Sequence, residues 1–217
     1  MQVVKGIYLI KGYGYDSNVY LIDESMLVDT GTGNSFTEMK RAIEEKCDKN
    51  KIKTIINTHS HFDHAGGDKK FRDWLKAEII IHENDKDALE NGDNLAEMFS
   101  MASRTTTVDR TLRDKSLLKT DNFNFEVVHT PGHTPGSICL YEKSKKILIS
   151  GDTLFEDGIG RTDLPGGNRD DMRKSLEKLS KLDINYLLPG HGEPKIGGIN
   201  FLVKQVLAGT VSKEKFV

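Results

Sequence analysis

Short apolar runs alternate along the chain with segments in which apolar residues recur every three or four positions. The runs predict strands, and the spaced segments predict helices. Strands are predicted over residues 6–10, 18–22, 26–28, 52–57, 78–81, 123–129, 137–141, 146–150 and 186–188. Helices are predicted over 67–75, 170–182 and 198–208, with helical pieces between 84 and 118.

One further helix is predicted after Ser35. Ser35 and Glu38 fit a capping box, and Phe36, Met39 and Ile43 then keep helical spacing. The order of elements fits either two sheets face to face with helices outside or one mixed sheet, and the pattern does not separate these layouts. Because no repeat or linker interrupts it, we expect a single domain over residues 1–217.

Composition narrows the class of protein. The chain has 217 residues, 36% of them hydrophobic and 29% charged, and a formal net charge of −2. This balance argues against a nucleic-acid or membrane-surface binder. No apolar run approaches a membrane span, and the N-terminal run lacks a signal-peptide layout. Cys47, late in a helix, and Cys139, in a strand, are expected to be packing residues, which favours the cytoplasm.

Four strong metal-ligand side chains stand within the six residues His59-Ser60-His61-Phe62-Asp63-His64. A buried strand is predicted just before them. If the backbone stays extended beyond it, residues two apart point the same way, so that His59 and His61 converge on one ion. Asp63 and His64 are adjacent and cannot both join that face, which leaves them for a second ion. The spacing therefore indicates a site for two metal ions rather than a surface histidine cluster.

Three further segments place one candidate ligand each after a predicted strand and a glycine. The ligands are His133 after Gly132, Asp152 after Gly151, and His191 after Gly190. A glycine allows the backbone to approach a metal closely, and loops at strand ends are where such chemistry sits. Each segment is a weak signal alone, but together with the six-residue motif the signal is strong.

These residues resemble the ligand set of the metallo-β-lactamase superfamily, and Asp29 in Val28-Asp29-Thr30-Gly31 matches the first motif of that family. The resemblance implies an α+β fold, the αββα four-layer sandwich. It also implies a metal-ligand assignment: His59, His61 and His133 on one metal, Asp63, His64 and His191 on the other, and Asp152 bridging both. Asp29 is not a ligand in that family, and we expect it to support the loop.

A closer resemblance, to glyoxalase II (hydroxyacylglutathione hydrolase) and its short relatives, is carried by residues 151–155 and 158–163. A bridging Asp152 also distinguishes this chain from true β-lactamases, many of which have Cys at the corresponding position. Glyoxalase II has a C-terminal helical domain that helps to hold glutathione, whereas this chain ends shortly after His191. Arg161 stands at its glutathione-contacting lysine position. It is expected either to contact an anionic substrate or to pair with Asp157 or Asp163.

The resemblance implies a metal-dependent hydrolase that cleaves a thioester or a related ester. Two divalent ions, zinc first with iron or manganese as alternatives, would share a hydroxide that attacks the carbonyl. Asp63 or Asp152 would orient the hydroxide and take up its proton, while a metal stabilises the oxyanion. A thiolate leaving group, with a parent pKa of about 8.5, needs little help from a general acid.

Other reaction classes stay open. Persulfide dioxygenases resemble the same branch, and a mononuclear iron on His59, His133 and Asp152 would suit their oxygen chemistry. Lactone hydrolysis and a non-catalytic metal-stabilised module are further alternatives. The expected partner is a small molecule such as an anionic thioester, with no nucleic acid or membrane, and a homodimer is left open. Met98, Phe99 and Met101 are expected to pack against the fold, with lining of a substrate pocket as the alternative.

Overall fold

The computed structural model describes residues 1–209 and 214–215. The chain divides into two compact units. Unit 1 comprises Met1–Leu112 and Thr120–Phe123, and unit 2 comprises Arg113–Lys119 and Asn124–Val217. The expected single domain over 1–217 stays a prediction. In the described part of the chain, no helix has the length and apolar character needed to cross a membrane.

Unit 1 is built on a seven-stranded mixed sheet whose strands lie side by side in chain order. The strands are β1 (Gln2–Val4), β2 (Ile7–Ile10), β3 (Val19–Ile22), β4 (Met26–Val28), β5 (Thr54–Ile56), β6 (Glu78–His82) and β7 (Arg110–Leu112). Strands β1 to β4 pair antiparallel, and β4 to β7 pair parallel. Parallel sheets are buried on both faces, which explains the unbroken isoleucine runs in β5 and β6.

Four helices belong to unit 1. They are α1 (Phe36–Glu44), α2 (Phe62–Ala65), α3 (Asp68–Leu75) and α4 (Lys86–Asn91), with 3₁₀ turns at Lys49–Lys51, Glu83–Asp85 and Ala96–Phe99. Two of the helices, α1 and α3, pack an apolar face against the sheet. Met39 and Ile43 of α1 and Phe71 and Leu75 of α3 are buried in one core cluster with sheet residues. Their four-residue spacing places each pair on one helix face.

Unit 2 contains a six-stranded sheet and a small two-stranded one. Its strands are β8 (Leu117–Lys119), β9 (Asn124–His129), β10 (Ile138–Glu142), β11 (Ile147–Gly151), β12 (Ile159–Gly160), β13 (Tyr186–Pro189), β14 (Lys195–Ile196) and β15 (Glu214–Lys215). The large sheet has the order β14-β13-β11-β10-β9-β8, and β12 pairs with β15. In the large sheet β11 and β13 are parallel, and the connection between them carries helix α5 (Arg169–Leu179). Helix α6 (Ile199–Leu207) follows β14, and Leu176, Leu179 and Val203 join the core of this unit.

The predicted strands and helices are present with shifted ends, but one prediction is wrong and another is incomplete. Ser35 does not cap α1, because its hydroxyl donates to Asp16 Oδ2 and accepts from the Tyr13 amide at 3.1 Å. Residues 84–118, expected to be helical in pieces, also contain β7 and β8. Strands β7 and β8 are short and mix apolar with exposed polar residues, so they show no apolar run, and the short β1, β12 and β14 were missed for the same reason.

The two cysteines are free thiols in packed surroundings. Cys139 lies in β10 as expected, but Cys47 lies beyond the end of α1 rather than late in the helix. Burial raises the pKa of each thiol to about 11. Both are therefore protonated near neutral pH, which agrees with a packing role and not with a nucleophile.

Gly132, which stands between β9 and His133, is expected to tolerate no side chain. Its φ of 140° is a conformation that only glycine adopts freely, and a Cβ there would lie 2.5 Å from the Met172 backbone. We expect Gly132→Ala to lower the free energy of unfolding by about 3 kcal/mol. Gly197→Ala is the control: with φ at 75° and open space around the Cβ, it should cost about 1 kcal/mol. Urea denaturation measures both, and equal losses would contradict a role for the Met172 contact.

Candidate metal centre

The His-rich motif of unit 1 lies at a bend that runs into a short helix. Strand β5 ends at Ile56, one residue before the predicted end, the backbone bends at Thr58 and His59, and α2 begins at Phe62. The extended backbone expected beyond the strand is therefore wrong. In a strand, successive side chains point to opposite faces of the sheet. The bend instead allows side chains of neighbouring residues to point toward one place.

The bend brings the candidate ligands of unit 1 together. The ring centroids of His59 and His61 lie 4.7 Å apart, and those of His59 and His64 lie 4.0 Å apart. Ligand atoms of His59, Asp63 and His64 all lie within 4.8 Å of one another, and all three residues are buried. Unit 1 alone thus gathers donors that the resemblance assigns to two different ions.

Asp29, directly after β4, forms hydrogen bonds to His64 of this motif and to Thr58, the residue before it. Its Oδ1 accepts from the Thr58 amide at 2.8 Å, and its Oδ2 accepts from the Thr58 hydroxyl at 2.9 Å. His64 Nδ1 lies 2.8 Å from the same Oδ2. An ionised carboxylate only accepts hydrogen bonds, so His64 carries a proton on Nδ1. Its Nε2 is therefore the atom that can donate a lone pair to a metal.

The same proton count extends to His59. The Thr58 hydroxyl has one proton, and it donates that proton in the hydrogen bond to the Asp29 carboxylate. His59 Nδ1 lies 3.1 Å from that hydroxyl oxygen and is therefore the donor in this contact. Both histidines consequently present Nε2 as the ligand atom, and one buried carboxylate determines the tautomer of each.

Unit 2 gathers its three candidate ligands around Asp152. His133 follows β9, Asp152 follows β11 and His191 follows β13, as predicted. His133 Nε2 lies 3.5 Å from Asp152 Oδ2, and His191 Nε2 lies 3.9 Å from Asp152 Oδ1. Two ligand atoms on one tetrahedral ion at about 2.1 Å lie about 3.4 Å apart, so the His133–Asp152 spacing suits two ligands of one ion.

The backbone around β12 fixes His133. Its Nδ1 donates to the Arg161 carbonyl oxygen at 2.8 Å, which leaves Nε2 as the lone-pair atom. Gly160 lies so close that an added Cβ would be 1.9 Å from the Asp152 carbonyl oxygen and 3.1 Å from His133 Nδ1. The neutral imidazoles, the carboxylates and these supporting acceptors together form a donor set that fits divalent metal ions.

Arg161 itself forms an ion pair. Its Nε donates to Asp163 Oδ1 at 2.8 Å and its Nη2 to Asp163 Oδ2 at 2.6 Å, a bidentate arrangement. The pair holds the pKa of the Asp163 carboxyl below its usual value. One of the two expected roles of Arg161 is thus present, and its contact with an anionic substrate stays a prediction.

Two supporting residues of the motif were not recognised from the sequence. Thr58 relays hydrogen bonds between Asp29 and His59, and the Asp85 carboxylate accepts from the Ser60 amide at 2.9 Å. Thr58 directly precedes the motif in the sequence, but its hydrogen bonds depend on the fold. Asp85 carried no signal, because only the tertiary fold brings the 3₁₀ turn after β6 to this loop.

A second carboxyl, Asp68 at the start of α3, is fully buried below the motif. It accepts from the Thr30 hydroxyl at 2.8 Å and from the Asn57 amide nitrogen. The Thr30 hydroxyl also lies 3.1 Å from the His64 carbonyl oxygen. Burial raises the pKa of Asp68 to about 7, against the opposing effect of its two hydrogen bonds.

Comparison with known proteins identifies the family. A family model described as "Metallo-beta-lactamase superfamily" matches residues 12–191. The chain belongs to the metallo-β-lactamase superfamily. The match includes every residue predicted to be a metal ligand, from His59 to His191.

Curated members of the superfamily are similar over most of the chain. A "probable metallo-hydrolase" of Methanocaldococcus jannaschii is 36% identical over 196 residues, covering 86% of this chain and 93% of that protein. A hydroxyacylglutathione hydrolase of Haemophilus influenzae is 35% identical over 197 residues, covering 86% of this chain and 90% of that protein. The chain is therefore similar to metallo-hydrolases along nearly their whole length.

Solved structures of the superfamily confirm the fold class. The crystal structure of a B3 metallo-β-lactamase, BLEG-1, has a TM-score of 0.75 at 30% identity and covers 88% of this chain and 93% of its own. Another, solved in a di-iron-bound form, has a TM-score of 0.77 at 25% identity and covers 94% and 98%. The predicted α+β class, the metallo-β-lactamase sandwich, is confirmed, and the His and Asp donor set fits the dinuclear metal site of this superfamily.

The buried carboxyl of Asp68 should make stability depend on pH. Its folded pKa of about 7 lies above the ordinary aspartate value of 3.8, so between these pH values the folded state holds a proton that the unfolded state has lost. This contribution to the free energy of unfolding is full below about pH 4 and is lost as the pH rises to about 7. We expect Asp68→Asn to flatten this decline, as measured by urea denaturation of the metal-free protein at a series of pH values.

The control is Asp73→Asn, because Asp73 lies on the same helix α3 with its side chain 64% exposed. It removes the same charge without touching the buried group. A decline that is as steep in Asp68→Asn as in the wild type would contradict the assignment to Asp68.

Proposed function

We propose that the protein is a metal-dependent thioester hydrolase that uses two divalent metal ions, most simply zinc. The observation that carries this proposal is the set of histidine tautomers. His59, His64 and His133 each have Nδ1 engaged by a protein acceptor, which leaves Nε2 as the ligand atom. Metal-ligating histidines almost always donate their second ring N–H to a protein acceptor, so this arrangement supports a metal role for all three residues.

The proposed ligand assignment follows the superfamily. His59, His61 and His133 would hold the first ion, Asp63, His64 and His191 the second, with Asp152 shared between them. The family model spans all seven residues, and the short separations within each unit support the grouping. Asp29 would act through His64 and Thr58 rather than as a ligand.

The chemistry divides between the ions and the side chains. When bound, the two ions would generate a nucleophile from water near neutral pH and polarise the thioester carbonyl. Asp63, and Asp152 in the shared position, would orient the attacking water and accept its proton on a carboxylate oxygen. Attack on the carbonyl carbon breaks the C–S bond and releases a carboxylic acid and a thiolate. Since a thiol has a pKa of about 8.5, the chain needs no separate general acid for this leaving group.

A thioester is proposed because of the similarity to a hydroxyacylglutathione hydrolase. We also propose that Arg161 contacts an anionic part of the substrate, for which it would share its guanidinium with Asp163. The reaction is placed in the cytoplasm, which the two free thiols support.

Metal analysis coupled to two assays tests this function. Protein purified without added metal is expected to hold about two ions per chain and to hydrolyse an acylated glutathione, with chelation abolishing turnover and added zinc restoring it. One iron per chain together with oxygen uptake on glutathione persulfide would instead establish the dioxygenase alternative. A lactone as third substrate distinguishes ring-ester hydrolysis from thioester hydrolysis.

The role of Asp63 is tested by Asp63→Ala. Removing the carboxylate is expected to lower kcat by at least about 100-fold, because the attacking water loses both its orientation and its proton acceptor. Asp73→Ala on the exposed face of α3 is the matched control and should keep wild-type kcat. Circular dichroism checks the fold and metal analysis the loading. Retained turnover in Asp63→Ala with normal metal content would refute the assignment.

A further inference from the structure

Helix α2, which carries the candidate ligands Asp63 and His64, is too short to be stable by itself. It spans four residues, Phe62–Ala65. One helical turn leaves most of its end groups without partners inside the helix, and isolated helices below about 12 residues are marginal in water. At its start, the Phe62 amide donates to the Asn94 carbonyl oxygen at 2.9 Å. The position of α2 therefore depends on hydrogen bonds to other segments of unit 1.

The turn after β4, residues 29–34, holds the other end of α2. The Thr30 amide donates to the His64 carbonyl oxygen at 2.7 Å. Asp29 of the same turn accepts from the ring of His64, whose Nδ1 lies 2.8 Å from Asp29 Oδ2. The turn therefore fixes His64 at both its backbone and its ring, as long as the turn and the end of α2 keep a constant separation.

The guanidinium of Arg104 joins this turn to the end of α2. Its Nη1 donates to the Thr32 carbonyl oxygen in the turn at 2.6 Å and to the carbonyl oxygen of Gly66, the C-cap of α2, at 3.3 Å. Its Nη2 donates to Asn34 Oδ1 at 3.4 Å. A cation is also favourable beside the carbonyls at a helix C-terminus. One side chain thus bridges the two segments between which His64 is held.

Glycines let the two segments approach closely enough for this bridge. A Cβ added at Gly33 would lie 2.8 Å from Arg104 Nη1 and 2.8 Å from Gly67 Cα, and one added at Gly66 would lie 2.9 Å from the Thr32 carbonyl oxygen. These separations are shorter than a real side chain can reach. Because no side chain separates the turn from the end of α2, a single nitrogen of the guanidinium contacts carbonyls of both.

The hydrogen-bond acceptors of Arg104 are all neutral oxygen atoms. Within the part of the chain that the structure describes, Arg104 has no carboxylate partner. Arg72 in the same unit differs, because its Nη2 pairs with Asp109 Oδ1 at 2.6 Å. Arginine has a planar group with several donors in fixed directions, which suits it to bridging two acceptors. The contacts of Arg104 therefore determine geometry and do not neutralise an acidic group.

The segment that carries Arg104 is itself closed by hydrogen bonds. Asn94 Nδ2 donates to the Arg104 carbonyl oxygen at 3.2 Å, and the Ser103 hydroxyl donates to the Gly92 carbonyl oxygen at 2.6 Å. Met98 in this segment is 61% exposed, so the expectation that Met98 packs against the fold is wrong. The closure fixes the backbone from which the guanidinium extends, and a group ordered in advance loses less entropy when it makes its contacts.

We propose that Arg104 is a positioning residue of the metal centre, which keeps His64 aligned with Asp29 by joining the turn after β4 to the end of α2. This inference rests on the proposed function and goes beyond it, because Arg104 is not one of the proposed ligands. Without the guanidinium, the carbonyls of Thr32 and Gly66 lose their shared donor and the two segments can separate. His64 then loses the acceptor that directs its Nε2 toward the ion.

Metal affinity tests the proposal. Arg104→Met removes the donors and keeps an unbranched side chain. It is expected to weaken the binding of one of the two zinc ions by about tenfold or more, as is usual when a partner that orients a ligand is removed. Arg104→Lys keeps the charge without the planar group and should lie between Arg104→Met and the wild type. Calorimetric titration of the metal-free protein with zinc measures these affinities.

Arg72→Met is the matched control. Arg72 also donates to a backbone carbonyl of unit 1, that of Thr107 at 2.7 Å, and it makes no contact with the turn after β4. The variant removes the same charge and the same kind of hydrogen bond, so it should leave the affinity for both zinc ions unchanged. An equal loss of affinity in Arg72→Met and Arg104→Met would show a general loosening of unit 1 and refute the inference.

A measurement on the metal-free protein separates the role of Arg104 from the proposed reaction. Exchange of the His64 Nδ1 proton with solvent, followed by NMR with isotope-labelled histidine, should be faster in Arg104→Met than in the wild type and unchanged in Arg72→Met. If zinc binds but no thioester is hydrolysed, the proposed function fails, and zinc affinity and proton exchange still decide the inference. If the wild type binds no zinc, proton exchange alone decides whether Arg104 positions His64. An unchanged exchange rate in Arg104→Met, or an unchanged zinc affinity where zinc binds, contradicts the proposal.

Discussion

The buried carboxylate of Asp29 is the interaction on which the geometry of the His-rich motif depends. It accepts two hydrogen bonds from Thr58 and one from His64, all between 2.8 and 2.9 Å. The residue has a φ of 61°, a conformation that costs about 1–2 kcal/mol for a residue with a Cβ. Glycine would remove that cost, but it would also remove the carboxylate. The strain is retained because the side chain has to reach the loop from exactly that backbone direction.

In unit 2, a neutral acceptor rather than a carboxylate fixes the tautomer of a candidate histidine ligand. The Arg161 carbonyl fixes the tautomer of His133 in the way that the Asp29 carboxylate fixes that of His64. Carboxylate acceptors raise the basicity of a ligating imidazole more than a carbonyl does, because the charge also stabilises the positive end of the N–H bond. His64 and His133 therefore share one tautomer but differ in donor strength.

Much of the fold and of the candidate centre could be predicted from the sequence, for identifiable reasons. Isoleucine runs in β5 and β6 and four-residue spacing in α1 and α3 are strong periodic signals. Gly-bounded turns after β9, β11 and β13 indicated His133, Asp152 and His191. Strands β7 and β8 each bury a single residue and therefore carry no apolar run, and their pairing partners are decided by tertiary contact. The tautomers and the support from Asp85 could not be predicted either, since they depend on atoms brought together from distant parts of unit 1.

The expected capping box at Ser35 is absent, and the hydroxyl of Ser35 is used in a different contact. By local rules, Ser35 and Glu38 should close the N-terminus of α1. Instead, the Asp16 carboxylate accepts hydrogen bonds from the Ser35 hydroxyl and from the amide and hydroxyl of Thr32. These bonds fix the loop that carries Tyr15. A helix cap contributes about 1 kcal/mol, so this loop is ordered at a real cost to the helix. Local rules are broken in natural proteins mainly where function requires it. The order of this loop therefore comes from the side chain of Asp16, at the expense of the local cap of α1.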